Sequence, residues 1–500
     1  MSKTRSTGSK YRVGITARSI RDIGKLEKYG LDLKRRTARK KSDGTGFSVS
    51  GILSSEQIKQ LRSSNYVVQI HSDLAKESKE RLQEVSKVNR FENANEFNEI
   101  KEKARLAKYL NTAEIETVLI KLQNLFPKIT ELIPLSNPTY EGRLSTAIRL
   151  RAGPPSNIKS DRVGVMFTGS MHAREWGGSD ICINFLINLL SSYRDNTSLI
   201  LGKNTFSSEQ IRTMLENIDL FVFPDVNPDG KVYSQAHDGT KPLSLDDQDK
   251  MWWRKNRNPV EVINGDDPVH NTGVDVNRNF NFLWGSGIGT LSEDHSGRTH
   301  SLTFPGLNAF SESESSNVKH LFDKYKNIRY FVDIHSCGDM ILYNWGDDTN
   351  QNNDPSKNFL NDEYKKVRGK TRGRYADDYK EFIVKSDLDV AKYLAHSMND
   401  ALKKVYGRSY KVQQSAGLYT TSGTSDDYAY SRHIANKKAQ KIYGFTIEFA
   451  SDKMGFIPPI SEMQKIIKEI SSAMTEFCIS AYQNEIGSSD SRSVLLIEGT

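Results

Sequence analysis

The sequence predicts an α/β protein in which a mixed, mostly parallel central sheet flanked by helices is preceded by a small α+β domain. Three observations predict it. At 500 residues the chain is longer than one growing hydrophobic core sustains, so a large domain with a smaller companion is expected. From Tyr109 onward, apolar runs of strand length alternate with helical segments, and such continuous runs belong to strands buried on both faces. Between residues 76 and 108 the composition shifts to Lys, Arg, Glu, Asn and Gln with few aromatics, which marks a boundary.

Taken in order, residues 1–10 read as a basic, flexible terminus. Residues 11–75 alternate strand-like and helix-like pieces (YRVGIT, IRDIGKLEKYGLDL, FSVSGIL, SSEQIKQLRSSN, YVVQIHSD) and predict a compact β-α-β-α-β unit. The polar stretch 76–108 can bury little and predicts an exposed, charged connector. Residues 109–485 carry the runs VGVMFTG, IDLFVFPDVN, YFVDIHS and YGFTIEFA between helical segments, the pattern of the α/β domain. Residues 486–500 read as a loosely held tail.

The formal net charge of +8 is concentrated at one end, because residues 1–41 contain fourteen Lys/Arg and only three Asp/Glu. The run Lys34–Lys41 is read as a solvated loop, so nucleic acid is not expected as a partner. No stretch approaches the roughly 18 consecutive apolar residues of a membrane helix. The first residues lead into no apolar segment of a secretory signal, which makes the cytoplasm the expected compartment, with export by another route as the exception. Cys182, Cys337 and Cys478 lie far apart in or beside apolar segments and predict reduced, buried thiols.

The chemistry gathers where apolar strands end, the place where α/β sheets collect ligands. His172 and Glu175 follow VGVMFTG within Gly169–Gly178, and two such groups three residues apart can turn one nitrogen and one carboxylate toward a single ion. A His-x-x-Glu pair is weak evidence alone. His335 ends the run YFVDIH and completes two histidines and one glutamate, a set that leaves a position open for water as catalytic zinc requires. Asp275 in Gly273–Asn279 is placed to accept the other ring proton of His172.

His172-x-x-Glu175 with Arg174 between, Trp253–Arg257, Asn277–Asn279, Asp333–Ser336, Tyr419–Asp427 and Phe445–Phe449 resemble, in that order, the zinc carboxypeptidases of the carboxypeptidase A/B type. Glu141-Gly142-Arg143 and Asn227-Pro228-Asp229-Gly230 add two further signatures. The resemblance implies one zinc ion per chain on His172, Glu175 and His335. It implies Glu448 as the general base that activates the zinc-bound water, and Arg254 as the cation facing the developing oxyanion. Asn277 and Arg278 are implied to bind the substrate's terminal carboxylate, a task suited to a planar guanidinium, with Arg174 along the substrate path and Tyr419 closing over the terminus. The expected partners are peptide or protein C-termini, met by a monomer.

Counting from Tyr419, Asp426 falls where relatives specific for basic residues carry a pocket aspartate, so the expected preference is basic or broad. Three departures stand out: Cys337 replaces a tyrosine, Phe449–Phe456 does not follow the family closely, and residues 347–388 read as an insertion that covers or restricts the mouth of the site. By its order and size, the 11–75 unit resembles the family's inhibitory pro-domain. Two rivals differ in what they require. A cell-wall peptidase acting on murein stem peptides would share the metal site and differ in the pocket, and a catalytically silent binding protein would lack a ligand, the base or the arginine.

Overall fold

The structure is a computed structural model that describes residues 10–19, 22–23, 25–29, 31–41, 43–105, 108–153, 162–236, 250–259, 272–288, 302–369 and 378–497. The basic terminus at 1–9 and the last three residues of the expected tail lie outside the described residues.

The first unit is a four-stranded antiparallel sheet of β1 (Lys10–Ala17), β2 (Asp32–Lys40), β3 (Phe47–Ser54) and β4 (Val67–Asp73), in the order β2-β3-β1-β4. Helices α1 (Ser55–Ser63) and α2 (Leu74–Gln83) follow β3 and β4. Ser54 caps α1 reciprocally with Gln57, satisfying two backbone donors that a helix start leaves open. Val13, Ile15, Leu26, Val49, Leu53, Ile58, Leu61 and Val68 form a small core of their own. The basic run 34–41, expected as a loop, lies almost wholly in β2, whose partner is β3. A strongly charged strand is tolerated at a sheet edge, where charge discourages pairing with another chain.

The connector reading of 76–108 is corrected. Leu82, Val85, Phe91, Ala94, Phe97, Ile100 and Ala104 are buried in the main core, and α3 (Phe97–Ala104) turns its Phe97 edge-on to Phe126. The polar composition hid this because the few apolar residues are spaced to fall on one side, while Arg90 neutralises the buried Glu114 at 2.6 Å.

The main sheet has eight strands: β5 (Thr130–Pro134), β6 (Thr146–Leu150), β7 (Val163–Gly169), β8 (Ile218–Phe223), β9 (Ile328–Ser336), β10 (Met340–Tyr343), β11 (Lys411–Gln414) and β12 (Tyr443–Phe449). Their order is β11-β10-β12-β9-β7-β8-β6-β5. The central four, β12, β9, β7 and β8, run parallel, and the flanking pairs β12–β10, β8–β6 and β6–β5 are antiparallel. β8 and β12 are buried along their whole length, the signature of a sheet covered on both faces.

The covering helices are α4 (Thr112–Leu125), α5 (Gly177–Asp195), α6 (Ser208–Asn217), α7 (Pro228–Gln235), α8 (Ser313–Lys324), α9 (Lys385–Tyr406), α10 (Ser425–Ala435) and α11 (Ile460–Ile497). The backbone of the expected tail is helical to Ile497, continuing α11. No helix among the described residues is long and apolar enough to cross a membrane.

Parallel pairing sets what the site inherits. In register, Thr168 lies opposite Asp333, Asp333 opposite Thr446, and His335 opposite Glu448. Adjacent strands lie about 4.8 Å apart, so His335 and Glu448 emerge as neighbours at one sheet rim.

The burial of the 82–104 segment carries a stability consequence. Phe91→Ala, which empties a fully buried site, is expected to cost about 3–5 kcal/mol in urea unfolding of the whole chain. A loss within about 0.5 kcal/mol, the ordinary range for a surface position, would contradict the packing.

Candidate active site

The loop after β7 is built around a tight crossing of strand and helix. Ser170 takes a left-handed φ of 58°, and its hydroxyl lies 2.7 Å from Ser179 Oγ while accepting from Ser179 N–H at 3.2 Å. Gly178 permits the approach, since a Cβ there would lie 2.8 Å from Ser170 N and 3.2 Å from Ile334 O. The chain is thereby turned so that His172 and Glu175 face the end of β9.

Three donor atoms converge on one point. His172 Nδ1 lies 2.9 Å from Glu175 Oε1 and 3.0 Å from His335 Nδ1, and His335 Nδ1 lies 2.8 Å from Glu175 Oε2. All three side chains are buried. The outer nitrogens face carboxylates, with His172 Nε2 at 3.1 Å from Asp275 and His335 Nε2 at 2.8 Å from Asp333. A carboxylate at Nε2 holds the proton there and leaves the Nδ1 lone pair directed at the common point. Burial opposes ionisation of Glu175, yet the two imidazoles outweigh it and hold the carboxyl well below its ordinary range. Two imidazole nitrogens and one carboxylate suit zinc, so the donor set fits that ion.

Asp333, which sequence reasoning assigned no task, is buried and held by Thr168 Oγ1 and Ser425 Oγ, both at 2.7 Å. Its signal was present in the sequence, because residues two apart on a strand share a face and Asp333 precedes His335 by two. Asp275 also receives Arg254 Nε and Nη2, each at 3.0 Å, while Arg254 Nη1 stays 3.9 Å from Glu175. Burial pushes the Asp275 carboxyl up, but Arg254 and then His172 outweigh it and hold it far below the carboxylate range.

The remaining predicted residues fall around this point. Glu448 is buried on β12 beside His335. Arg278 donates from Nη1 to the Asn277 carbonyl at 2.6 Å, and its Nη2 lies 3.4 Å from the Tyr419 hydroxyl. Asn277 Oδ1 accepts Ser425 N–H at 2.8 Å, and its Nδ2 lies 3.3 Å from His335 Nε2. Arg174 stacks 3.9 Å over the Phe456 ring and donates to the Trp252 carbonyl at 3.3 Å, which brings Phe456, from the poorly matching segment, to this rim. Asp426 is buried, with Oδ2 3.2 Å from Thr446 Oγ1 and 3.5 Å from Ser415 Oγ. Cys337 is buried with Sγ 3.9 Å from Asp452 Oδ1.

The two additional signatures meet in one structural unit. Asp229 accepts Glu141 N–H at 2.8 Å, the Thr139 hydroxyl at 2.7 Å and Arg143 Nη1 at 2.6 Å. Asn227 donates to the Met171 and Lys255 carbonyls at 3.1 and 3.2 Å, tying the His172 loop to the strand of chain that carries Arg254.

A family model described as zinc carboxypeptidase matches residues 115–472, and the chain belongs to that family of metallocarboxypeptidases. It is 28% identical over 352 residues to carboxypeptidase O of Bos taurus, covering 69% of this chain and 72% of the relative. It is 25% identical over 358 residues to carboxypeptidase B of Astacus astacus, covering 71% of this chain and 91% of the relative. Among solved structures, the thrombin-activatable fibrinolysis inhibitor matches with a TM-score of 0.65 at 17% identity, over 95% of this chain and 100% of that one. Carboxypeptidase A of Helicoverpa armigera matches with a TM-score of 0.63 at 19% identity, over 96% and 99%. These two likenesses show the fold, including the small first unit.

Asp333 supplies a metal-affinity prediction. Asp333→Asn is expected to weaken zinc binding about 10–100-fold, read by competition with a chromophoric chelator, with the folded CD spectrum unchanged. Unaltered affinity would remove Asp333 from any orienting role.

Proposed function

We propose that this chain hydrolyses the C-terminal peptide bond of peptides or proteins, with zinc at His172, Glu175 and His335, Glu448 as general base and a preference for basic terminal residues. The observation that carries the catalytic reading is the adjacency in register of His335 and Glu448 beside the three converging donor atoms. Zinc, when bound there, supplies a Lewis acid that acidifies water and polarises a carbonyl.

The chain's own groups do the rest. Glu448 accepts a proton from the attacking water and returns it to the amine that leaves as the C–N bond breaks; the water oxygen stays on the new carboxylate. Arg254 is largely buried and fixed by Asp275, so its charge is oriented before the oxyanion develops and little reorganisation is needed. Arg278, beside Tyr419, presents a guanidinium suited to a terminal carboxylate, which favours an exopeptidase over an endopeptidase. Its Nε–H donates to no partner among the described residues, and a substrate carboxylate would satisfy it.

For the side-chain preference, Met340, Leu342 and Leu418 pack together with Tyr419 into an apolar cluster next to the strand ends, while Asp426 contributes a carboxylate next to Thr446. Thr446 lies opposite Leu342 in register, and a carboxylate beside that apolar cluster suits the long stem and charged tip of Lys or Arg.

Two measurements test these readings separately. Glu448→Gln is expected to lower kcat about 100- to 10,000-fold with zinc content unchanged by metal analysis, and retained turnover would overturn the mechanism. Peptides differing only in the terminal residue are expected to give kcat/KM at least about 30-fold higher for Lys and Arg than for Leu, a margin that Asp426→Asn removes. Equal rates for Leu and Arg in the wild type would refute the preference and leave the mechanism standing.

A further inference from the structure

Helix α7 carries three buried polar side chains that hydrolysis itself does not use. Asn227, its N-cap, Lys231 and Ser234 are all fully buried. At spacings of four and three they fall on one face of the helix, and that face is turned to the loop bearing His172 and Glu175.

Each of the three holds a carbonyl of that loop. Asn227 Nδ2 donates to Met171 O at 3.1 Å, Ser234 Oγ to Ala173 O at 2.8 Å and Lys231 Nζ to Trp176 O at 3.1 Å. Met171 and Ala173 flank His172, and Trp176 follows Glu175. Ser234 also accepts the Trp176 indole N–H at 2.9 Å, and Lys231 Nζ donates to Ser179 Oγ at 3.2 Å. Gly230 lets α7 come this near, since a Cβ there would lie 2.7 Å from Lys255 O and from both terminal atoms of the Asn227 amide.

Lys231 is the member that helix and core stability disfavour. An ammonium in a dry interior is costly. It also lies at the amino end of α5, whose N-cap is Trp176, where the helix dipole opposes a cation. Both hydrogen bonds of its Nζ nonetheless go to neutral oxygens of the loop. The buried carboxylates that feel its charge, Asp180 and Asp225, accept instead from Leu110 N–H at 3.0 Å and the Thr112 hydroxyl at 2.9 Å. Charge-assisted bonds are about twice as strong as neutral ones, so the cation fixes the carbonyl next to Glu175 more firmly than a neutral donor would.

The loop needs such fixing from outside. His335 rides on β9, which is paired on both sides by β7 and β12, whereas His172 and Glu175 ride on a segment with no strand ladder of its own. We propose that Lys231 is a positioning residue for the metal ligands, acting with Asn227 and Ser234 as a clamp that sets the backbone of the His172–Glu175 loop. The inference rests on the zinc reading of His172, Glu175 and His335.

The test reads metal binding rather than turnover, on the full chain stripped of metal and reloaded with zinc or with cobalt. The wild type is expected to bind both, with visible absorption from the cobalt; failure to bind either overturns the metal reading and the clamp with it. Lys231→Met keeps the apolar length of the side chain and loses its donors. It is expected to lower zinc affinity about 10-fold in chelator competition and to alter the cobalt spectrum, with the CD spectrum of a folded chain. Ser234→Ala is expected to act in the same direction, and it decides the matter where Lys231→Met does not fold. Phe91→Ala, destabilised but outside the clamp, is expected to keep the wild-type affinity and spectrum. Wild-type affinity and spectrum in a folded Lys231→Met overturn the proposal while the metal reading stands. An equal loss in Phe91→Ala overturns it too, because the effect would then belong to global stability.

Discussion

The site depends on two buried carboxylates that never touch the metal position. Asp275 and Asp333 take the Nε2 side of His172 and His335, and by doing so direct two Nδ1 atoms at Glu175. Histidine has two usable nitrogens, and without such partners the rings would sample orientations in which no common point exists. Each carboxylate is itself anchored. Asp333 is fixed by Thr168 from the neighbouring strand and by Ser425 at the start of α10, and Asp275 by both donors of Arg254.

This economy ties the metal-binding group to the side chains around it. Asp275 binds His172 with one oxygen and Arg254 with the other, so the arginine proposed to face the oxyanion and a histidine of the metal-binding group share one support. Ser425 similarly supports Asp333 through its hydroxyl and Asn277 through its N–H, one residue before Asp426.

The same logic extends outward. Asn227 and Asp229 hold neighbouring loops by backbone contacts, which lets irregular segments carry functional groups at fixed spacing without regular secondary structure of their own. The insertion after β10 is held by Trp345 and Phe359, which pack with Phe282, and by Gly346 N–H, which donates to Asp427 in the first turn of α10.

Much was legible in the sequence because it is written locally. Continuous apolar runs announced the buried strands, and the His172 and Glu175 spacing, the strand-final His335 and the ordered family motifs announced the site and its residues. Legibility ended where meaning depends on partners distant along the chain. Residues 82–104 looked solvated because composition counts residues without saying which side they face, and the basic 34–40 run looked like a loop because charge masks strand propensity at an edge. Asp333 went unassigned although its spacing from His335 put both on one strand face, because its anchors Thr168 and Ser425 come from β7 and α10, far away along the chain. The sequence by itself determined which donors are available and on which elements they ride. Only the tertiary structure decided which nitrogen each histidine offers and which arginine shares its carboxylate, because hydrogen-bond geometry and desolvation are properties of the assembled neighbourhood.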